Sequence, residues 1–208
     1  MITIPAFPND HLLRIHSPIG RIELLGDGTA ITSLAIEKDG VLPHDHVPEQ
    51  LDRLLVKTAR QLGEYFAGTR RRFSVPVRAA GTTFQKSVWA KLAELGWGEV
   101  TSYGALGTAT GHPAAGRAVG GAIRANPVPI LVPCHRVLAS GGKITGYSRG
   151  QGVTTKAWLL DHEGIIHSTR APQGPVPYQT TSSSSPGTDR DKAMPAPAAH
   201  DSNESASA

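Results

Sequence analysis

Residues 102–127 read SYGALGTATGHPAAGRAVGGAIRANP, and this stretch decides the fold. Ser102 is a good N-cap for a short helix through Ala109. Gly111 and His112 make a turn before Pro113, a favoured first residue of a helix. A second helix then runs to Arg124 or Ala125 and stops there, because Asn126 precedes Pro127, which disfavours helical geometry in the residue before it. Helix, short glycine-containing turn, helix is the layout of a helix-turn-helix. Glycine in a helix interior costs about 1 kcal/mol relative to alanine, so Gly116, Gly120 and Gly121 call for the close approach of another surface. That surface is either a neighbouring helix or a nucleic-acid backbone. Arg117 and Arg124, seven residues apart, share nearly one face, while Val119 and Ile123 can point to the core. A helix that reads bases is expected to carry several Asn, Gln or Arg side chains. Two arginines among small residues suit backbone and groove shape instead, with one arginine inserted into the base stack.

Downstream lies Ile130-Leu131-Val132-Pro133-Cys134-His135-Arg136-Val137, which holds the only cysteine of 208 residues. A lone cysteine can form no intramolecular disulfide and no multi-cysteine zinc site, so it is either core filler or a nucleophile. Cysteine attacks as the thiolate and needs a base or a positive field. Neighbouring side chains point apart on helices and strands, so a water relay from Cys134 to His135 is more plausible than a direct bond. Glu163 ends a helix running from Thr155 to Gly164, with leucines three and four residues before it. A carboxylate on an apolar face near a helix C-terminus should have a donating or positive partner. His135 is one candidate, and a frayed, solvated Glu163 is the alternative. His162 reads as a surface residue.

Upstream, residues 12–16, 21–25 and 30–36 alternate apolar and polar side chains and are separated by turn residues, as antiparallel strands are. Leu51, Leu54, Leu55, Thr58, Leu62, Tyr65 and Phe66 form one face of a long helix closed by Gly68. Residues 75–80 read as a strand end or linker. Thr82 or Thr83 caps a further helix carrying Phe84, Val88, Leu92 and Leu95, which Gly96 ends. The Arg70-Arg71-Arg72 cluster is read as a solvated charge run. The expected class is α+β: a small antiparallel sheet plus helix in residues 1–80, a mostly helical 81–167 with the helix-turn-helix, and a disordered, Ser/Pro/Ala-rich tail in 168–208. That tail carries a net −1 and the remainder +5, modestly basic as suits a polyanionic partner. No apolar stretch approaches about 20 residues and no signal-peptide pattern opens the chain, so a soluble intracellular protein is expected.

The motifs Thr83-Phe84-Gln85, Val88-Trp89, Ser102-Tyr103-Gly104, Arg117-Ala118-Val119-Gly120, Asn126-Pro127, Pro133-Cys134-His135-Arg136-Val137 and the stretch from Lys156 to Glu163 occur together. With them the chain closely resembles the O6-methylguanine-DNA methyltransferases over roughly residues 82–164. The resemblance implies irreversible alkyl transfer from O6-alkylguanine in double-stranded DNA, and also from O4-methylthymine, to Cys134, with the protein consumed. His135 would deprotonate Cys134 through water, Glu163 would hold the imidazole, and Asn126 would brace the turn between helix and active site. Tyr103 would donate to the flipped guanine and crowd the next phosphate. Arg117 would fill the vacated stack, and Arg124 would join it on DNA. The carbonyls of Cys134 and Val137 would accept from the guanine amino group, and Tyr147 and Ser148 would line the pocket. No cofactor and no metal are expected. The partner would be lesion-bearing duplex DNA and not a membrane, bound by a monomer, with cooperative binding along DNA left open. The location would be the cytoplasm, or with DNA in nucleoid or nucleus.

The chain departs from the family pattern after Ser148, where Arg149-Gly150-Gln151-Gly152 replaces a glycine pair. Pocket width and adduct range depend on that loop. Competing readings are a lesion-binding module without transfer, which Cys134 argues against, and a cysteine hydrolase, for which the helix pair has no role. A structural cysteine in a DNA-binding protein is the third.

Overall fold

The computed structural model describes residues 11–168, so the expected tail lies, beyond its first residue, outside the described residues. Three strands form an antiparallel sheet in the order β1 (His11–Ile15), β2 (Ile22–Gly26), β3 (Ile31–Ile36). Leu13 stands opposite Leu24, and Leu24 opposite Leu34. As the central strand, β2 is almost wholly buried. It keeps Glu23 inside by pairing it with the Arg14 guanidinium and with His44 Nδ1 at 2.7 Å, as a buried carboxylate requires.

Helix α1 (Arg53–Phe66) starts where the Asp52 side chain accepts from Leu55 N–H. It buries Leu55, Thr58, Gln61, Leu62 and Tyr65 at helical spacing. Leu51, expected on that face, precedes the helix and is exposed: with Asp52 as its cap, the helix begins at Arg53, two residues past Leu51. Gly68 closes the element at φ +74°, a left-handed geometry suited to glycine. Residues 76–78 run beside β3, with Ile31 N–H donating to Pro76 O and Arg78 N–H to Ile31 O.

Helix α2 (Thr83–Ala93) has a full capping box, Thr82 and Gln85 each receiving the other's backbone N–H. Ser102 caps α3 (Tyr103–Ala109) as its sequence predicts. Helix α4 (Gly116–Arg124) starts three residues later than expected, with Pro113 and Ala114 in a turn. Ala115 offers no side-chain cap, and His112 N–H is held by Gly107 O at 2.7 Å. Gly107 is required there, because a Cβ would lie 2.8 Å from His112 O.

Strand β4 (Thr101–Ser102) pairs in parallel with β5 (Val137–Leu138), a two-residue ladder too short to announce itself in sequence. It ties the start of α3 to the segment just after a 3-10 turn at Cys134–Arg136. Helix α5 (Val153–His162) follows and ends with Glu163 as its C-cap. The class is α+β as expected. One core cluster runs from Ile22, Leu24 and Leu34 through Leu62 and Tyr65 to Trp89, Val119, Val128 and Cys134.

Candidate active site

The two helices of the helix-turn-helix differ in what they bury. Helix α4 turns Val119 and Ala122 inward, and Trp89 of α2 donates its indole N–H to Ala122 O at 2.8 Å. Arg117, Ala118, Gly121 and Arg124 face outward. A Cβ on Gly116 or Gly121 would meet nothing within 4 Å, so packing inside the described residues does not require these glycines. They keep the outer face of α4 low and leave the two arginines standing above it.

Behind α4, the chain turns through residues 126–133 to reach Cys134. Fully buried Asn126 braces this turn, donating through Nδ2 to Val132 O at 2.8 Å and accepting Val128 N–H on Oδ1 at 3.1 Å. The turn contains Ile130 at φ +71°, a conformation unfavourable for a β-branched residue. Its side chain is buried, so core packing and the Asn126 brace hold the strained peptide.

Cys134 reaches the floor of a cavity of about 740 Å³ whose walls are α4 on one side and residues 145–148 on the other. Tyr103, Arg117, Arg124, Tyr147 and Ser148 line it, as does Lys156. The Tyr103 hydroxyl lies 3.3 Å from Thr145 Oγ1, and Tyr147 OH lies 3.9 Å from Cys134 Sγ. Burial pushes the Cys134 thiol up, against the polar Asn126 and Tyr147 side chains and the charges of Arg149 and Lys156, which favour the thiolate. The balance keeps the resting group a thiol, so attack requires a base.

That base is organised by Glu163. Its carboxylate is buried and receives His135 Nε2 at 2.9 Å, Arg136 Nε at 2.7 Å and Nη2 at 2.9 Å, and Tyr65 OH at 2.8 Å. Burial alone would raise the Glu163 pKa, but the bonds from His135 and Arg136 outweigh it and bring it down to about 2. An ionised carboxylate only accepts, so His135 carries its proton on Nε2 and leaves Nδ1 as the basic nitrogen. Nδ1 is buried and bonded to no protein group among the described residues. Burial lowers the His135 pKa against the pull of Glu163, which keeps the ring neutral and able to take a proton.

His135 bonds to Glu163 rather than to the thiol, in keeping with the sequence expectation of an indirect path. The solvated alternative for Glu163 is excluded by its four donated bonds. His162, expected on the surface, instead stacks on Trp158 with ring centroids 4.9 Å apart and hydrogen-bonds Tyr65 O at 2.7 Å. The aromatic side chains around α5 draw it in. The carbonyls of Cys134 and Val137 already accept one bond each, from Val137 N–H and from Lys156 Nζ.

Three contributors were not legible as site residues. Arg136 was visible only as part of its motif, Tyr65 as a core position of α1, and Lys156 as a polar residue near the start of α5. Burial lowers Lys156 to about 8, against the opposing pull of Cys134. Replacing Tyr65 with phenylalanine removes one donor to a buried charge, for which a loss of about 1.5–3 kcal/mol is expected. A urea-melt midpoint unchanged by Tyr65→Phe would contradict the structural weight given to that bond.

The profile described as 6-O-methylguanine DNA methyltransferase, DNA binding domain, matches residues 83–165, and that of the ribonuclease-like domain of the same proteins matches residues 14–79. A methylated-DNA–protein-cysteine methyltransferase of Methanosarcina acetivorans is 42% identical over 150 residues, covering 71% of this chain and 94% of that protein. The chain belongs to the 6-O-methylguanine DNA methyltransferase family. The Haemophilus influenzae member is 36% identical over 163 residues, covering 77% of this chain and 90% of its own. Among solved structures, the O6-methylguanine methyltransferase of Mycobacterium tuberculosis superposes with a TM-score of 0.67 at 38% identity, covering 79% of this chain and 96% of that one. A Mycobacterium tuberculosis OGT in complex with DNA gives a TM-score of 0.65 at 40% identity, covering 74% of this chain and 92% of that one. Among the described residues of this family member, no group of three or more His, Cys, Asp or Glu could hold a metal ion. No helix there is long and apolar enough to cross a membrane.

Proposed function

We propose that the protein repairs O6-alkylguanine in duplex DNA by moving the alkyl group to Cys134 in a single turnover, with O4-methylthymine as a second substrate. The observation that carries this reading is the thiol at the bottom of a cavity roomy enough for a base, lined by the two arginines of a helix-turn-helix. Relatives named for methylated-DNA–protein-cysteine methyl transfer support it.

Seating α4 against the duplex brings Arg117 and Arg124 to the DNA and lets the damaged base swing into the cavity. Extrusion costs a few kcal/mol, least where pairing is already weakened. Arg117 fills the gap left in the stack. Tyr103, at the cavity wall, donates to the extruded base, while Tyr147 and Ser148 enclose it. The thiol proton passes through water to His135 Nδ1, and Glu163 stabilises the imidazolium so formed. The thiolate attacks the alkyl carbon, the carbon–oxygen bond breaks with its electron pair going to the purine, and the proton that His135 took from the thiol is returned through water to the purine, leaving guanine and a neutral imidazole. The thioether left on Cys134 is a poor electrophile, and no described group stands ready to remove its alkyl. The protein is a monomer in solution and works where DNA is, in the cytoplasm, nucleoid or nucleus.

Stoichiometry tests this directly. With duplex carrying a labelled O6-methyl group in excess, transfer is expected to stop at one methyl per chain, and continued turnover would overturn the reading. Arg117→Ala is expected to weaken duplex affinity and extrusion together by roughly tenfold, about 1.4 kcal/mol. The check is titration of a duplex carrying a fluorescent base analogue at the lesion's partner. Unchanged affinity and fluorescence would remove Arg117 from the interface.

A further inference from the structure

The loop that forms the second wall of the cavity is tied to the helix that forms the first by one side chain. Arg149 follows Tyr147 and Ser148 directly, and its Nη2 donates to Arg124 O at 3.0 Å and to Asn126 O. Arg124 O belongs to the last turn of α4, where carbonyls lack helical partners and a cation is favoured by the helix dipole. Asn126 is the residue whose side chain braces the 126–133 turn that leads into Cys134. The loop's other end is fixed as well. Gln151 N–H bonds Thr155 Oγ1 at 2.9 Å. Gly150 sits so close to the first turn of α5 and to β3 that a Cβ would lie 2.6 Å from Thr155 Oγ1 and 3.0 Å from Ile36. With its base held rigid in this way, the loop can transmit position through Arg149.

We propose that Arg149 is a positioning residue for the transfer step, holding the end of α4, the 145–148 wall and Asn126 in one register so that a base delivered by α4 meets the thiol in line. This inference rests on the function proposed above. Arg149 faces α4 and the turn after it, while the DNA-facing arginines, Arg117 and Arg124, are separate side chains. Its loss therefore leaves duplex binding in place and misaligns the reacting atoms, where displacements near 1 Å can cost a hundredfold.

The test uses full-length protein and the variants Arg149→Met and Arg149→Lys. Methionine keeps an unbranched stem and removes the donor. Lysine keeps the positive charge and a donor, on a side chain one bond shorter than the reach to Nη2. Duplex affinity, the transfer rate from saturated duplex containing O6-methylguanine, and the rate of Cys134 alkylation by iodoacetamide are measured for each. For Arg149→Met the expected result is affinity within about threefold of wild type, an iodoacetamide rate lowered only by what the lost charge beside Cys134 takes from the thiolate, and a transfer rate that falls at least tenfold further than the iodoacetamide rate does. Arg149→Lys is expected to recover part of that loss. Equal falls in affinity and transfer would overturn the assignment, as would an iodoacetamide rate that falls as far as transfer does, or no change at all. Wild-type protein that fails to transfer methyl would instead sink the proposed function. Wild-type transfer with an unaffected Arg149→Met variant would sink only the role of Arg149.

Discussion

Cys134→Ala is expected to bind duplex DNA containing O6-methylguanine with an affinity within a few-fold of wild type and to remove no methyl group from it. The surfaces that would meet DNA, the outer face of α4 with Arg117 and Arg124 and the cavity wall at Tyr103, do not include the sulfur. Removing one small buried atom from the cavity floor costs little packing, since cysteine and alanine differ by a single sulfur. No other thiol exists in the chain to take over. Binding would be read by gel shift and transfer by loss of the modified base from the DNA. Retained demethylation by this variant would exclude Cys134 as the acceptor and with it the whole mechanism.

Glu163→Gln carries the second large effect, because one carboxylate answers four donated hydrogen bonds. The amide cannot balance the Arg136 guanidinium, which is itself buried. Leaving a buried charge without its partner costs about 3–5 kcal/mol. The amide also no longer fixes the proton on His135 Nε2, so Nδ1 ceases to be reliably basic, and transfer is expected to fall by roughly a hundredfold or more. A pH signature accompanies the loss of stability. Glu163 titrates at about 2 in the folded protein against an ordinary 4.5, so its contribution is complete above about pH 4.5 and disappears as pH falls toward 2. Urea melts between pH 7 and 2 should therefore show a steep acid limb for wild type and a flatter one for Glu163→Gln. Parallel curves for the two proteins would show that the carboxylate is not held in its ionised form by folding.

The contrast between these residues explains what could be read in advance. Ser102, Thr82 with Gln85, and Gly68 act on neighbours within a few positions, so the starts of α2 and α3 and the end of α1 were plain in sequence. The start of α4 was misplaced because proline at a first helical position is only a preference. A backbone bond between Gly107 and His112 instead holds residues 110–115 in a turn. Cys134, His135 and Glu163 stood out as chemically reactive groups in unusual surroundings. Tyr65 did not: it is 98 positions from Glu163, its neighbours made it look like ordinary core, and only the packing of α1 against α5 turns its hydroxyl toward the carboxylate. Arg149 was conspicuous as a departure from the family pattern, but the carbonyls it binds become visible only once α4 is placed.

The most direct measurement is the mass of the intact protein and of its peptides after incubation with duplex DNA bearing one O6-methylguanine. Single-turnover transfer to Cys134 predicts a gain of one methylene, found only on the peptide containing Cys134 and saturating at one per molecule. Unmodified protein that nevertheless holds the lesion-bearing duplex would contradict alkyl transfer and make the molecule a damage-binding module.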